Sequence, residues 1–68
     1  MKKYFVELNG KFVASSTSLK GAQNYIIRHS LLYNPDNCIF ILDTDGNEYE
    51  LPLDSVSEKV RNEWIENH

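Results

Sequence analysis

The chain has 68 residues, 41% of them hydrophobic and 12% aromatic, with ten acidic and seven basic side chains and a net charge of −3. That length holds one domain, residues 1–68, with a small core, and a lone Cys38 with two histidines supplies neither a disulfide framework nor a four-ligand structural zinc set. No apolar run is long enough to span a membrane, and the stretch Tyr4-Phe5-Val6 behind Met1-Lys2-Lys3 stops at Glu7, short of a signal-peptide core, so a reduced, cytoplasmic setting is expected.

Residues 3–8, aromatic and β-branched, read as a strand, and Asn9-Gly10 is a strong hairpin signal ahead of a second strand at 11–15. Two turns fit. A two-residue turn pairs Leu8 with Lys11, whereas a three-residue loop with Gly10 as a left-handed bulge pairs Glu7 with Lys11. The second is preferred, because it sets opposite charges across the strands and gathers Tyr4, Val6, Phe12 and Ala14 on one face. Either way, alternation puts Phe5 on the face opposite Val6.

Thr17 or Ser18 is a natural N-cap for a helix over residues 19–32. Leu19, Ala22, Ile26 and Ser30 or Tyr33 form its apolar stripe, with Ile27 beside it, while Lys20, Asn24 and Arg28 make the solvated side. Gly21 weakens the first turn, which points to a strand passing close by. Asn34-Pro35 ends the element, and a turn follows. Cys38-Ile39-Phe40-Ile41-Leu42, short and flanked by turn residues, reads as a central strand buried on both faces or nearly so. Asp43-Thr44-Asp45-Gly46-Asn47 is a second hairpin connection. Residues 48–53 alternate, with Tyr49, Leu51 and Leu53 inward, and Pro52 places them at an edge. Ser55-Val56-Ser57-Glu58 is a capping box before a helix over 56–66, in which Val56, Val60 and Trp64 share a stripe with Ile65 alongside. The expected fold is α+β: a ββαββα two-layer sandwich, a four-stranded, mainly antiparallel sheet with two helices on one face.

The run from Asp43 to Glu48 has the carboxylates of a calcium loop but not its spacing, since Gly46 falls too early and no Glu closes the loop. Cys38 opens an apolar strand with nothing to activate a thiol, and reads as a small packed residue. Glu48 and Glu50 face water, where general acid catalysis has no support. No catalytic set, cofactor or metal is expected. Phe5 stands apart: with both helices on the Val6 face, it lies on an open sheet face, joined by Phe12 or Val13 according to the turn and by alternate residues of the central strand. Such a patch marks an association surface.

Charge is uneven along the chain. Residues 1–34 carry five bases against Glu7, and residues 35–68 carry two bases against nine acids, so +4 is followed by −7. The expectation is a non-enzymatic protein-binding module, a modulator or inhibitor that docks Phe5 and an acidic surface (Asp43, Asp45, Glu48, Glu50, Glu63 and Glu66) on a basic protein partner. Nucleic-acid binding through Lys3, Lys11, Lys20 and Arg28 is the alternative, followed by self-association as a homo-oligomer; the net negative charge ranks nucleic acid below a protein. Alanine occurs only twice while Asn, Ile, Lys, Glu and Tyr are common, a composition expected of AT-rich coding sequence in a low-GC bacterium or its phage.

Overall fold

The computed structural model describes residues 2–68. The elements run β1 (Tyr4–Leu8), β2 (Lys11–Ser16), α1 (Leu19–Arg28), β3 (Ile39–Asp43), β4 (Glu48–Tyr49) and α2 (Glu58–Asn67), with 3-10 turns at Leu31–Tyr33 and Leu53–Ser55. The strands form one antiparallel sheet in the order β2-β1-β3-β4. Val6, Ile39 and Ile41 from one sheet face make the core with Ala22 and Ile26 of α1, Leu32 of the first 3-10 turn, and Trp64 of α2. The chain is therefore an α+β two-layer sandwich in ββαββα order, with both helices on one face of a four-stranded antiparallel sheet.

The first hairpin departs from the preferred reading. Asn9 (φ 52°) and Gly10 (φ 87°) both adopt left-handed backbone, and Leu8 pairs directly with Lys11. This is the two-residue turn, so Lys11 does not face Glu7. Its local cause is Asn9. The Asn9 N–H donates to the Cys38 carbonyl at 2.8 Å, and Asn9 Oδ1 accepts from the Cys38 N–H at 2.8 Å. Asn9 thereby lengthens the β1–β3 pairing by one residue and holds the turn tight. The irregularity sits further along the ladder: Val6 pairs with Ala14 but Glu7 with Phe12, which leaves Val13 as the extra residue of a β-bulge. Side-chain alternation resets there. Tyr4, Val6 and Ala14 share the helix side as expected, whereas Phe12 goes to the other side, opposite Glu7.

The three-residue loop with a left-handed glycine occurs in the second hairpin instead. The Gly46 N–H donates to the Asp43 carbonyl and the Asp43 N–H to the Asn47 carbonyl, each at 3.0 Å, with Gly46 at φ 85°. β3 begins one residue later than expected, leaving Cys38 exposed and not packed. Ile39, Ile41 and Asp43 are buried under the helices, while Phe40 and Leu42 are half-buried on the opposite face. The strand expected over 48–53 is cut to Glu48–Tyr49, because Pro52 (φ −78°, ψ 62°) centres an inverse γ-turn closed by the Leu53 N–H on the Leu51 carbonyl at 2.8 Å. The inward set survives this: Tyr49, Leu51 and Leu53 still pack against the core.

Both helices are shorter than their apolar patterns. Ser18 caps α1, accepting from the Gly21 N–H at 3.0 Å, but the helix stops at Arg28 because Ser30 turns to φ 53°. The following 3-10 turn buries Leu32 and leaves Tyr33 exposed. The capping box is unused. Ser55 Oγ donates to the Pro52 carbonyl at 2.6 Å, Val56 stays extended, and Ser57 caps α2 by accepting from the Val60 N–H at 3.3 Å. Trp64 fastens α2 to the core as expected, while Ile65 beside it is exposed.

A strand does pass Gly21. A Cβ there would collide with Ser16 Oγ and meet Ser16 Cβ at 3.0 Å. Ser16 Oγ also accepts from the Ser18 N–H at 3.2 Å, so moving it disturbs the helix start. Gly21→Ala is expected to lower the melting temperature by about 4 °C or more, outweighing a helix-propensity gain of about 1 kcal/mol. Adding Ser16→Gly should return part of the loss. Circular-dichroism melts of the single and double variants check this; a more stable Gly21→Ala would contradict the close approach.

Candidate protein-interaction face

The helices cover one side of the sheet, and among the described residues no element covers the other. Strand pairing orders the open side in rows. Phe5 lies between Ser15 and Leu42, with Glu48 beyond Leu42; Glu7 lies between Phe12 and Phe40. Phe12 is 65% exposed and Val13 38%, while Phe5, Phe40 and Leu42 are half-buried by their neighbours. The Phe5 and Phe12 rings meet edge-to-face, with centroids 5.8 Å apart. A shallow apolar groove follows these rings past Leu42 to Thr44, and another runs past Val13 to Ser15. Thr44 closes one end of the face: its Oγ1 accepts from the Lys3 N–H at 3.0 Å and donates to the Lys3 carbonyl at 3.3 Å.

The acidic set does not assemble into one surface. Asp43 leaves it altogether, since its side chain is wholly buried on the helix side. Its Oδ1 accepts from the N–H groups of Asp45 (2.8 Å) and Asn47 (2.9 Å), and its Oδ2 from Asn47 Nδ2 (3.1 Å) and the Tyr49 hydroxyl (2.7 Å). Lys2 Nζ stands 3.6 Å from Oδ2. Burial pushes the carboxyl pKa up, but the bonds from Tyr49, Asn47 and Asp45 outweigh it and hold the group far below the ordinary carboxylate range. The same bond raises the pKa of the Tyr49 hydroxyl. Asp43 is therefore the knot of the second hairpin and not a docking charge. Asp45 is exposed in that turn, Glu50 is exposed after β4, and Glu63 and Glu66 are exposed on α2 in the opposite layer. Strand pairing puts Glu48 on the open side with Phe5.

The bases are divided too. Lys3 precedes β1 and Lys11 lies at the far end of the hairpin, while Lys20 and Arg28 are exposed on α1. The sheet keeps the two halves of the chain side by side: β2 and β1 of the basic half, with α1 packed on them, adjoin β3 and β4 of the acidic half along the β1–β3 seam. The Lys2–Asp43 pair crosses between them; Arg61–Asp54, at 3.6 Å, is a surface pair worth little. The +4/−7 division along the sequence thus falls on two adjoining halves of the sheet. Sequence reasoning left Phe12 and Val13 as alternatives for this face and Phe40 as one parity of the central strand, and it did not single out Glu7, because the preferred turn sent Phe12 inward and gave Glu7 a partner in Lys11. Comparison with protein families, with characterised proteins and with solved structures finds no match to this chain.

Asp43 makes acid stability testable. Above the ordinary carboxyl value of 3.8 it is ionised both folded and unfolded, and its contribution is complete. Below that pH the unfolded chain takes up a proton that the folded chain refuses, so stability falls on acidification. Urea midpoints of the parent chain should drop from about pH 4 to about pH 2 more steeply than those of Asp43→Asn. The variant should also melt about 5 °C or more lower at neutral pH. Parallel pH slopes would contradict the assignment.

Proposed function

We propose that the chain is a small non-enzymatic protein-binding module that presents the open side of its sheet to a protein partner. The observation that supports this best is the continuous apolar face of Phe5, Phe12, Val13, Phe40 and Leu42, left uncovered while the opposite face carries both helices. An exposed phenylalanine packed edge-to-face on a second one is the type of anchor that dominates interface energetics. The polar groups that converge most closely, Asp43, Asn47 and Tyr49, are satisfied by one another, so their chemistry is spent on the turn. The partner is expected to offer an apolar patch with basic residues at its border, matching Glu7 and Glu48. In this reading the acids on α2 steer the encounter and are not part of the contact. Modulation or inhibition of the partner is the expected consequence of covering its surface.

Photocrosslinking separates this reading from its rivals. A benzophenone side chain at position 12 should form a discrete adduct with one protein of the native host extract, and the same group at position 20, on α1, should not. Phe5→Ser should weaken the position-12 adduct at least about tenfold. Equal labelling from both positions would overturn the reading. So would adducts only with a second copy of the chain. Capture of polynucleotide through Lys3, Lys11, Lys20 and Arg28, falling steeply as salt rises, would also overturn it.

A further inference from the structure

Glu7 is out of character with its surroundings. It stands on an inner strand, on the apolar side of the sheet, with Phe12 as its partner on β2 and Phe40 as its partner on β3. Phe5 is its neighbour two residues along the same face. The side chain is half-buried, and among the described residues no basic group forms an ion pair with it and no donor bonds it. Half-burying an unpaired carboxylate between two phenylalanines lowers stability, and a hydrophobic residue would fit the site better. Asp43 shows the opposite treatment in the same sheet: a carboxylate surrounded by five donors.

We propose that Glu7, walled by Phe12 and Phe40, is the receiving point for a cationic side chain, a guanidinium or ammonium carried by the protein that docks on the open face. A cation seated there meets the carboxylate directly and lies over a phenylalanine ring face beside it, in surroundings drier than bulk water. Both the charge pair and the cation–π contact strengthen under those conditions. Glu48 lies two strands and one row away on the same side, about 12 Å from Glu7 by sheet spacing. The occupant is thus a basic segment whose arginine or lysine is flanked by apolar residues that cover Phe5 and Leu42. This rests on the open face being the docking surface, and it names the partner chemistry that face selects.

The test uses two synthetic tripeptides, acetyl-Leu-Arg-Leu-amide and its uncharged counterpart acetyl-Leu-norleucine-Leu-amide, titrated into the labelled full chain and followed by amide NMR shifts. The arginine peptide should shift residues 5–8, 12–13 and 39–42 and bind about tenfold more tightly than the norleucine peptide. Glu7→Gln should remove that difference while raising the melting temperature by about 2–4 °C, as expected where an unpaired charge is withdrawn from an apolar face. If both peptides shift the face equally, or Glu7→Gln keeps the arginine preference, the cation site is overturned while the docking face stands. If neither peptide shifts the face, both are overturned.

Discussion

The register of the first hairpin governs what this molecule can present. With two helices the chain covers one side of its sheet, so every β2 residue is assigned to core or surface by its parity against β1. The Asn9-Gly10 turn starts that parity at Leu8–Lys11, and the bulge at Val13 reverses it before Ala14. Ala14 consequently lies over the core with Val6, while Phe12 stands outside against Phe5. Without the bulge, Phe12 and Ala14 would share a face. One would be an aromatic residue competing for space beneath α1, or the other a small residue wasted on the surface. The bulge resolves that conflict: the turn places Phe12 outside, and the bulge returns Ala14 to the core.

In so small a protein the core is thin, and side-chain bonds to backbone carry an unusual share of the definition of the sheet. Asn9 and Asp43 perform matching tasks at its two ends. Asn9 takes the left-handed turn position and ties the hairpin to Cys38, just ahead of β3. Asp43 is the last residue of β3 and collects the N–H groups of the turn that follows, together with the Tyr49 hydroxyl and the Lys2 ammonium. Both lie on or beside the β1–β3 pair, the inner pair of the sheet, so the two hairpins are fixed to one frame. Against that frame, Glu7 is a half-buried carboxylate that has no donor among the described residues, and its contrast with Asp43 is what the proposed cation site rests on.

Much of the fold was legible in the residues. The element order, the single helical layer, the Ser18 cap, the close approach at Gly21 and the anchoring role of Trp64 all follow from local spacing and chemistry. What escaped depended on neighbours distant in sequence or on competition between local options. The turn at Asn9 was decided by Cys38, 29 residues on. The α2 cap passed from Ser55 to Ser57 because Pro52 claimed the Ser55 hydroxyl. Asp43 carried a readable signal, an aspartate two and four residues before free turn N–H groups, but its charge drew attention to the surface. For the site, Phe5 and Glu48 were legible, whereas Phe12, and with it the surroundings of Glu7, depended on which of two turns Asn9-Gly10 adopts.

The placement of Phe12 is the central claim, and a nuclear Overhauser spectrum of the free chain tests it most directly. Ring protons of Phe12 should show cross-peaks to the Phe5 ring and to protons of Glu7, and their signals should be broadened by a soluble paramagnetic relaxation agent. Cross-peaks from the Phe12 ring to the methyl groups of Val6 and Ile26, with its signals shielded from the agent, would put Phe12 in the core and contradict the account.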